Sequence, residues 1–178
     1  VTTGYTGADL ENVMNEAAIF AARKNKSKID IADIEDANLK VMMGSEKKSK
    51  VVTEKEKKLT AYHEAGHALM SKLLNSKDKV HKISIVPRGR AGGFTMHRPD
   101  EGTDYSSKGE MLDDIMTLLG GRIAEKLVLE DISTGASNDI KRATEVARNM
   151  VMRYGMSDNI GPVVYDSGNG EVFLGKDY

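Results

Sequence analysis

The chain has 178 residues, a formal net charge of −1 and no cysteine. This length suffices for one domain, or for one domain and a fragment of another. A net charge so close to zero gives no electrostatic footprint for nucleic acid, so no nucleic-acid partner is expected. Without cysteine, disulfides and thiolate metal sites are excluded, and any metal must be held by histidine and carboxylate ligands. No apolar run approaches the roughly 20 residues that a membrane-spanning helix needs.

Residues 6–43 have the pattern of a small helical unit. Thr6 and Asp9 form a capping-box-like helix start, and apolar residues then recur at helical spacing. Asp30 is predicted to cap a second helix. Residues 44–52 are polar, begin with glycine and show no apolar period, which indicates a linker.

A third helix is predicted to begin at the capping box of Thr53 and Glu56 and to end near Leu74. Its centre contains the sequence HEAGH at residues 63–67. Gly66 costs a helix about 1 kcal/mol relative to alanine. We therefore expect it to leave room for another element to pack closely.

The HEAGH segment is an H-E-x-x-H motif, which predicts a zinc site. His63 and His67 are four residues apart, so both imidazoles lie on one helical face and can bind one ion. Glu64 lies beside the first histidine, where its carboxylate can take a proton from a water at the metal. The motif therefore predicts two metal ligands and a general base.

Short strands are predicted after this helix. Residues 81–86 alternate like a strand, residues 87–92 form a turn region, and residues 93–97 are predicted to return as a second strand. Two short apolar runs, 162–165 and 171–174, suggest a further hairpin in the tail. The expected fold is therefore mainly α with small β elements.

Two more helices are predicted in the second half of the chain. Ser107 and Glu110 form a capping box for the first of them, and the pair Gly120-Gly121 in its middle indicates a close contact between helices. Residues 133–137 are predicted to be a loop that ends in an N-cap at Ser137.

Two histidines do not complete a catalytic zinc site, because three protein ligands are expected. The metzincin extension is excluded because Met70 and Leu73 stand where glycine and histidine are needed. Glu125 lies on a long helix, and Asp139 lies in the first turn of the next one, so physical reasoning does not rank the two. The full set of candidates for the third ligand is His81, His97, Glu101, Asp104, Glu110, Asp113, Asp114, Glu125, Glu130, Asp131 and Asp139.

Six groups of residues spread along the chain carry a more specific pattern. They are 4–10 (GYTGADL), 15–18 (NEAA), 61–68 (AYHEAGHA), 120–125 (GGRIAE), 133–140 (STGASNDI), and 155–157 (GMS) with 161–162 (GP). In these segments and in their order, the chain closely resembles the FtsH family of membrane-bound, ATP-dependent zinc metalloproteases.

The resemblance implies roles for five residues of the site. Zinc is expected to be held by His63, His67 and Asp139, with Glu64 as general base. Glu125 is expected to support a ligand by hydrogen bonding rather than to bind the metal itself.

The resemblance also implies a domain organisation. Residues 1–43 would be the C-terminal part of the helical lid of an AAA ATPase, and 44–52 a linker. Residues 53–178 would be a helical zinc-protease domain that lacks its last helices, which are expected after Tyr178. Gly7 and Ala8 are expected near a nucleotide bound by the ATPase core. ATP is expected as a cofactor of the full-length protein only, since no G-x-x-x-x-G-K-[ST] motif is present.

The function that the resemblance implies is that of a zinc-dependent endopeptidase domain in a membrane-anchored, ATP-driven, processive protease. Its substrates would be unfolded or membrane polypeptides, and the full-length protein would form a homo-hexamer. It would be attached, through segments outside this chain, to the cell (inner) membrane with this domain on the cytoplasmic side, or to the equivalent organelle membrane. The alternatives are a non-catalytic, ring-forming scaffold fragment and a metal-dependent hydrolase of a non-peptide bond.

Overall fold

The computed structural model describes residues 2, 4–47, 49, 51–74, 79–89, 91–98 and 105–165. In these ranges the chain forms five α-helices, a 3₁₀ turn and one two-stranded sheet of β1 and β2, so the mainly α fold class is confirmed. The elements are, in chain order, α1 (Gly7–Arg23), α2 (Ile31–Met43), α3 (Glu54–Leu73), β1 (Lys79–Ser84), β2 (Phe94–Arg98), α4 (Lys108–Leu129), the 3₁₀ turn (Thr134–Ala136) and α5 (Ser137–Met152).

The chain divides into two compact units. The first comprises Val1–Ala61 and Ser84–Phe94, and the second comprises Tyr62–Ile83 and Thr95–Tyr178. The HEAGH segment of α3 and helices α4 and α5 therefore belong to the second unit. No helix in the described ranges combines the length and the apolar character needed to cross a bilayer.

The first unit contains the paired helices α1 and α2. Both predicted helix starts are confirmed, since Thr6 and Asp30 each accept a hydrogen bond from the backbone N–H three residues later. Val13, Ala17 and Ala37 form the buried core between the two helices. These small side chains allow the two helices to pack closely.

Asp33 is a fully buried carboxylate in this unit, and two lysines neutralise it. Its Oδ1 lies 2.8 Å from Lys24 Nζ and its Oδ2 lies 3.0 Å from Lys26 Nζ. The hydrogen bond from Lys24 outweighs burial and, together with Lys26, holds the pKa of Asp33 well below its usual range. The ion pairs therefore tie the loop after α1 to the first turn of α2.

The remaining predicted elements agree with the structure in part. The capping boxes at Thr53 and Ser107 are present at the starts of α3 and α4. The strands predicted at 81–86 and 93–97 are found at 79–84 and 94–98, a displacement of one or two residues. The tail hairpin is wrong in its first arm, because 162–165 form no strand and the N–H of Tyr165 instead bonds to Met152 O, near the end of α5. Residues 171–174, the second arm, lie outside the described residues.

We expect Asp33→Asn to lower the thermal unfolding midpoint of the chain by several degrees at pH 7, because two ammonium groups then face a neutral amide. The lowered pKa makes this stabilisation fully present above the unfolded-state pKa near 4, and it is lost as the pH falls below that value. The difference between the two proteins should therefore shrink toward pH 2. Thermal unfolding followed by circular dichroism at pH 7, 4 and 2 measures this difference in midpoint.

Asp36→Asn is the matched control, since Asp36 also pairs with Lys24 but is well exposed. If Asp33→Asn lowers the unfolding midpoint no more than the control does, or lowers it equally at pH 2, the ion pairs of Asp33 do not supply this stabilisation.

Candidate metal centre

Helix α3 presents both histidines of the HEAGH segment to one point in the second unit. His63 Nε2 and His67 Nε2 lie 3.0 Å apart, and the two rings meet edge to face. The four-residue spacing places the residues one helical turn apart on the same face, as the sequence predicts.

The partners on the other ring nitrogens determine which tautomer each histidine adopts. His67 Nδ1 lies 2.8 Å from the backbone oxygen of Thr117, which can only accept, so Nδ1 carries the hydrogen. His63 Nδ1 lies 2.7 Å from Glu125 Oε1 and donates to this carboxylate. In the neutral rings both Nε2 atoms are therefore unprotonated, and their lone pairs face each other.

Asp139 completes a group of three ligand atoms. It lies in the first turn of α5, and its Oδ2 is 3.3 Å from His63 Nε2 and 3.6 Å from His67 Nε2. Within the described part of the chain, this is the one group of three histidine, aspartate or glutamate residues close enough to hold a metal ion. A tetrahedral zinc ion with ligands at about 2.0–2.1 Å separates its ligand atoms by about 3.3 Å. The donor types and their spacing therefore fit zinc.

The charges at this point favour a cation. Burial raises the pKa of the Asp139 carboxyl, but the imidazoles of His63 and His67, when protonated, hydrogen-bond to it, outweigh burial and hold this pKa well below its usual range. Burial lowers the pKa of His63, yet Asp139 and Glu125 outweigh it and raise this pKa. The site thus attracts positive charge, and a metal ion and a proton compete for His63.

Glu125 occupies a different position from Asp139. It is fully buried on α4; its Oε1 accepts from His63 Nδ1, and its Oε2 accepts from the N–H of Ser133 at 2.9 Å. Glu125 therefore lies on the Nδ1 side of His63, whereas Asp139 lies on the Nε2 side. The two carboxylates that sequence reasoning left unranked are separated by the packing of α4 and α5.

Helix α4 also holds the segment that leads to Asp139. Arg122 Nη1 donates to the backbone oxygen of Ser133 at 2.8 Å, while Glu125 accepts from the N–H of the same residue. The prediction of an N-cap at Ser137 is wrong, because Ser133 caps a 3₁₀ turn that leads directly into α5. Arg122 and Ser133 were not identified from sequence, although the spacing of Arg122 and Glu125 by three residues places them on one helical face.

Glu64 lies in the same unit and is largely buried, at 7% exposed. Its Oε2 accepts a hydrogen bond of 2.8 Å from the hydroxyl of Thr95 on β2. Burial raises the pKa of Glu64 and outweighs the Thr95 hydroxyl and the two imidazoles, which lower it. Thr95 was missed by sequence reasoning, since strand alternation does not reveal which side chain meets a distant helix.

Glycines bring α3 and α4 together at this site, as predicted. A Cβ on Gly66 would lie 2.7 Å from the Cβ of Ala124, and one on Gly120 would lie 2.7 Å from the backbone oxygen of Gly66. A Cβ on Gly121 would lie 2.6 Å from His67 Nε2 and 2.7 Å from His63 Cε1. Gly121 is therefore the position at which a methyl group would strike both imidazoles.

The other candidate ligands are not part of the three-residue group. Glu101 and Asp104 lie outside the described residues. His97 lies on β2 with its Nε2 2.7 Å from Ser71 Oγ. Gly7 and Ala8 lie in the exposed first turn of α1, in the first unit. The described candidates outside the group are His81, His97, Glu110, Asp113, Asp114, Glu125, Glu130 and Asp131.

We expect Gly121→Ala to weaken the binding of a divalent cation at least about tenfold, because the added methyl displaces the imidazoles from their shared position. Competition with a chromophoric chelator measures the affinity. Gly109→Ala on the same helix is the control, since its Cβ would meet no atom closer than Ser107 Oγ at 4.0 Å. Wild-type affinity in Gly121→Ala would refute this geometry.

Comparison with known proteins matches two parts of the chain to known families. Residues 50–178 match the family model of Peptidase family M41, and residues 1–36 match that of the AAA+ lid domain.

Among curated relatives, the chain is 59% identical over 177 residues to the ATP-dependent zinc metalloprotease FtsH of Caldicellulosiruptor bescii. It is also 59% identical to FtsH 2 of Alkaliphilus metalliredigens and 54% identical to FtsH of Myxococcus xanthus. Each alignment covers 99% of this chain but 29%, 26% and 28% of the respective relative. The chain thus spans less than a third of the length of these relatives. The resemblance drawn from the sequence motifs is confirmed, and the chain belongs to Peptidase family M41.

Proposed function

We propose that this chain is the zinc-dependent endopeptidase domain of an ATP-dependent protease. The observation that carries the proposal is the convergence of His63 Nε2, His67 Nε2 and Asp139 Oδ2 beside the buried carboxylate of Glu64 in a member of Peptidase family M41. The three ligand atoms are the metal-binding group of the proposal, and Glu64 is the general base.

Zinc, when bound by these three residues, supplies a Lewis acid that acidifies a water and polarises the scissile carbonyl. Glu64 accepts a proton from the attacking water as the water oxygen bonds to the carbonyl carbon. It then returns this proton to the amide nitrogen as the C–N bond breaks, leaving a new carboxyl and a new amine. A raised pKa makes Glu64 better suited both to take and to return the proton near neutral pH.

Glu125 is proposed to support the metal site without binding the ion. Its two oxygens hold His63 Nδ1 and the N–H of Ser133, and Ser133 lies six residues before Asp139. Together with Arg122, this one buried side chain orients a ligand on α3 and fixes the start of the segment that carries the ligand on α5.

An extended polypeptide is proposed as the substrate, added along β2 by main-chain hydrogen bonds. The hydroxyl of Thr95 on this strand donates a hydrogen bond to Glu64, so the strand lies next to the proposed base. This mode of binding recognises the backbone more than the side chains, which suits a protease of broad specificity that degrades unfolded or membrane proteins.

The proposed domain organisation assigns residues 1–43 to the lid of an AAA ATPase, 44–52 to a linker and 53–178 to the peptidase domain. In the full-length protein, Gly7 and Ala8 are proposed to lie near the bound nucleotide. The relatives named above are called ATP-dependent, which supports a nucleotide-driven whole protein. We further propose that this whole protein is a membrane-anchored homo-hexamer with the peptidase domain on the cytoplasmic side of the cell membrane, or of an equivalent organelle membrane.

We expect Glu64→Gln in the full-length protein to lower the rate of casein cleavage at least about 100-fold while zinc content stays stoichiometric, because the base is lost and the ligands remain. Glu54→Gln on the same helix is the matched control, since the side chain of Glu54 is 88% exposed. A chelator should abolish cleavage by the wild type, and added zinc should restore it.

Full cleavage by Glu64→Gln would contradict the catalytic proposal. Absence of casein cleavage by the wild type with zinc bound would favour the non-catalytic scaffold, and hydrolysis of an ester or another non-peptide bond in its place would favour the remaining alternative.

A further inference from the structure

Strand β2 contacts helix α3 at two places in the second unit. Thr95 Oγ1 lies 2.8 Å from Glu64 Oε2 and 3.1 Å from the backbone oxygen of Glu64. His97 Nε2 lies 2.7 Å from Ser71 Oγ, and Ser71 donates to the backbone oxygen of His67 at 3.0 Å. Thr95 and His97 are two residues apart, so their side chains share one face of the strand.

We propose that Thr95 is a positioning residue that fixes the carboxylate of Glu64 for proton transfer. This inference rests on the proposed function, in which Glu64 is the general base. The Thr95 hydroxyl donates to Oε2, which restricts the rotation of the glutamate and assigns Oε1 to the attacking water. A base must lie within hydrogen-bond reach of the proton it removes, so a carboxylate left to rotate spends less time in the productive geometry.

The hydrogen bond from Thr95 to the Glu64 carboxylate distinguishes a positioning role from the simple attachment of β2 to α3. A threonine that only attached the strand to the helix would need the backbone oxygen of Glu64 alone. Here the Thr95 hydroxyl lies closer to the carboxylate oxygen of Glu64, at 2.8 Å, than to its backbone oxygen, at 3.1 Å. The contact between His97 and Ser71 holds β2 to α3 independently, so removal of the Thr95 hydroxyl leaves one anchor of the strand in place.

The contact also lies outside the metal-binding group. The Thr95 hydroxyl makes both of its hydrogen bonds to Glu64, and neither of these bonds is to His63 or His67. Loss of this hydroxyl is therefore expected to alter the turnover step and to leave zinc content unchanged.

The test compares Thr95→Val with Thr95→Ser in the full-length protein, using steady-state cleavage of a fluorogenic peptide. Thr95→Val keeps the shape of the side chain and removes the hydroxyl, so kcat should fall about 10- to 100-fold with KM within twofold and zinc stoichiometric. Thr95→Ser keeps the hydroxyl and should recover most of kcat. Thr144→Val on α5 is the control, because the hydroxyl of Thr144 is exposed and donates to the backbone of Ile140.

A double-mutant cycle with Glu64→Asp shows whether Thr95 acts through Glu64. The shorter aspartate carboxylate lies out of reach of the hydroxyl, so Thr95→Val should reduce kcat far less in that background than in the wild type. Thr95→Ala repeats the comparison if Thr95→Val fails to fold.

Three results would overturn the proposal. They are an unchanged kcat in Thr95→Val, an equal loss in Thr95→Ser and Thr95→Val, and effects that multiply in the cycle with Glu64→Asp. Full activity of Glu64→Gln would instead overturn the proposed function itself, so the two failures are distinguishable.

Discussion

The arrangement of the site depends on the hydrogen bonds at the outer nitrogens of two imidazoles. Thr117 O accepts from His67 Nδ1, and Glu125 Oε1 accepts from His63 Nδ1. These bonds orient both rings and leave an unprotonated Nε2 on each, so two lone pairs meet 3.0 Å apart. Two facing lone pairs repel each other, and the carboxylate of Asp139 beside them adds negative charge. A cation resolves this conflict, which makes metal binding the expected consequence of the tautomers.

This arrangement requires α4 to approach α3 closely, and glycines allow it. Side chains at Gly66 and Gly120 would keep the helices apart, and a side chain at Gly121 would occupy the space of the imidazoles. Each glycine costs its helix about 1 kcal/mol relative to alanine. The close approach offsets this cost, because it brings Glu125 and the oxygen of Thr117 within hydrogen-bond distance of the histidines.

The carboxylate of Glu125 connects His63 on α3 to the segment that precedes Asp139. Glu125 contacts His63 with one oxygen and the N–H of Ser133 with the other, and Arg122 holds the oxygen of Ser133. Because Glu125 is fully buried and both oxygens are engaged, it cannot move toward Asp139 and the Nε2 atoms of the histidines without breaking two hydrogen bonds. This constraint is the physical reason to propose Asp139, and not Glu125, as the third ligand.

Most local features were predictable from sequence, and most contacts between distant segments were not. The capping boxes at Thr6, Thr53 and Ser107 form as predicted, because each needs only four consecutive residues. The ranking of Glu125 against Asp139 depends on how α4 and α5 pack, which periodicity does not encode. The contact of Thr95 with Glu64 joins residues 31 apart in sequence, and no local pattern indicates it.

We propose that His63, His67 and Asp139 hold one zinc ion while Glu125 stays outside the coordination sphere. Anomalous diffraction at the zinc edge from crystals of the full-length protein tests it most directly. We expect one peak at about 2.0–2.2 Å from the Nε2 atoms of both histidines and from a carboxylate oxygen of Asp139. A peak bound by Glu125 in place of Asp139, or no peak at these histidines in a protein that cleaves casein, would contradict it.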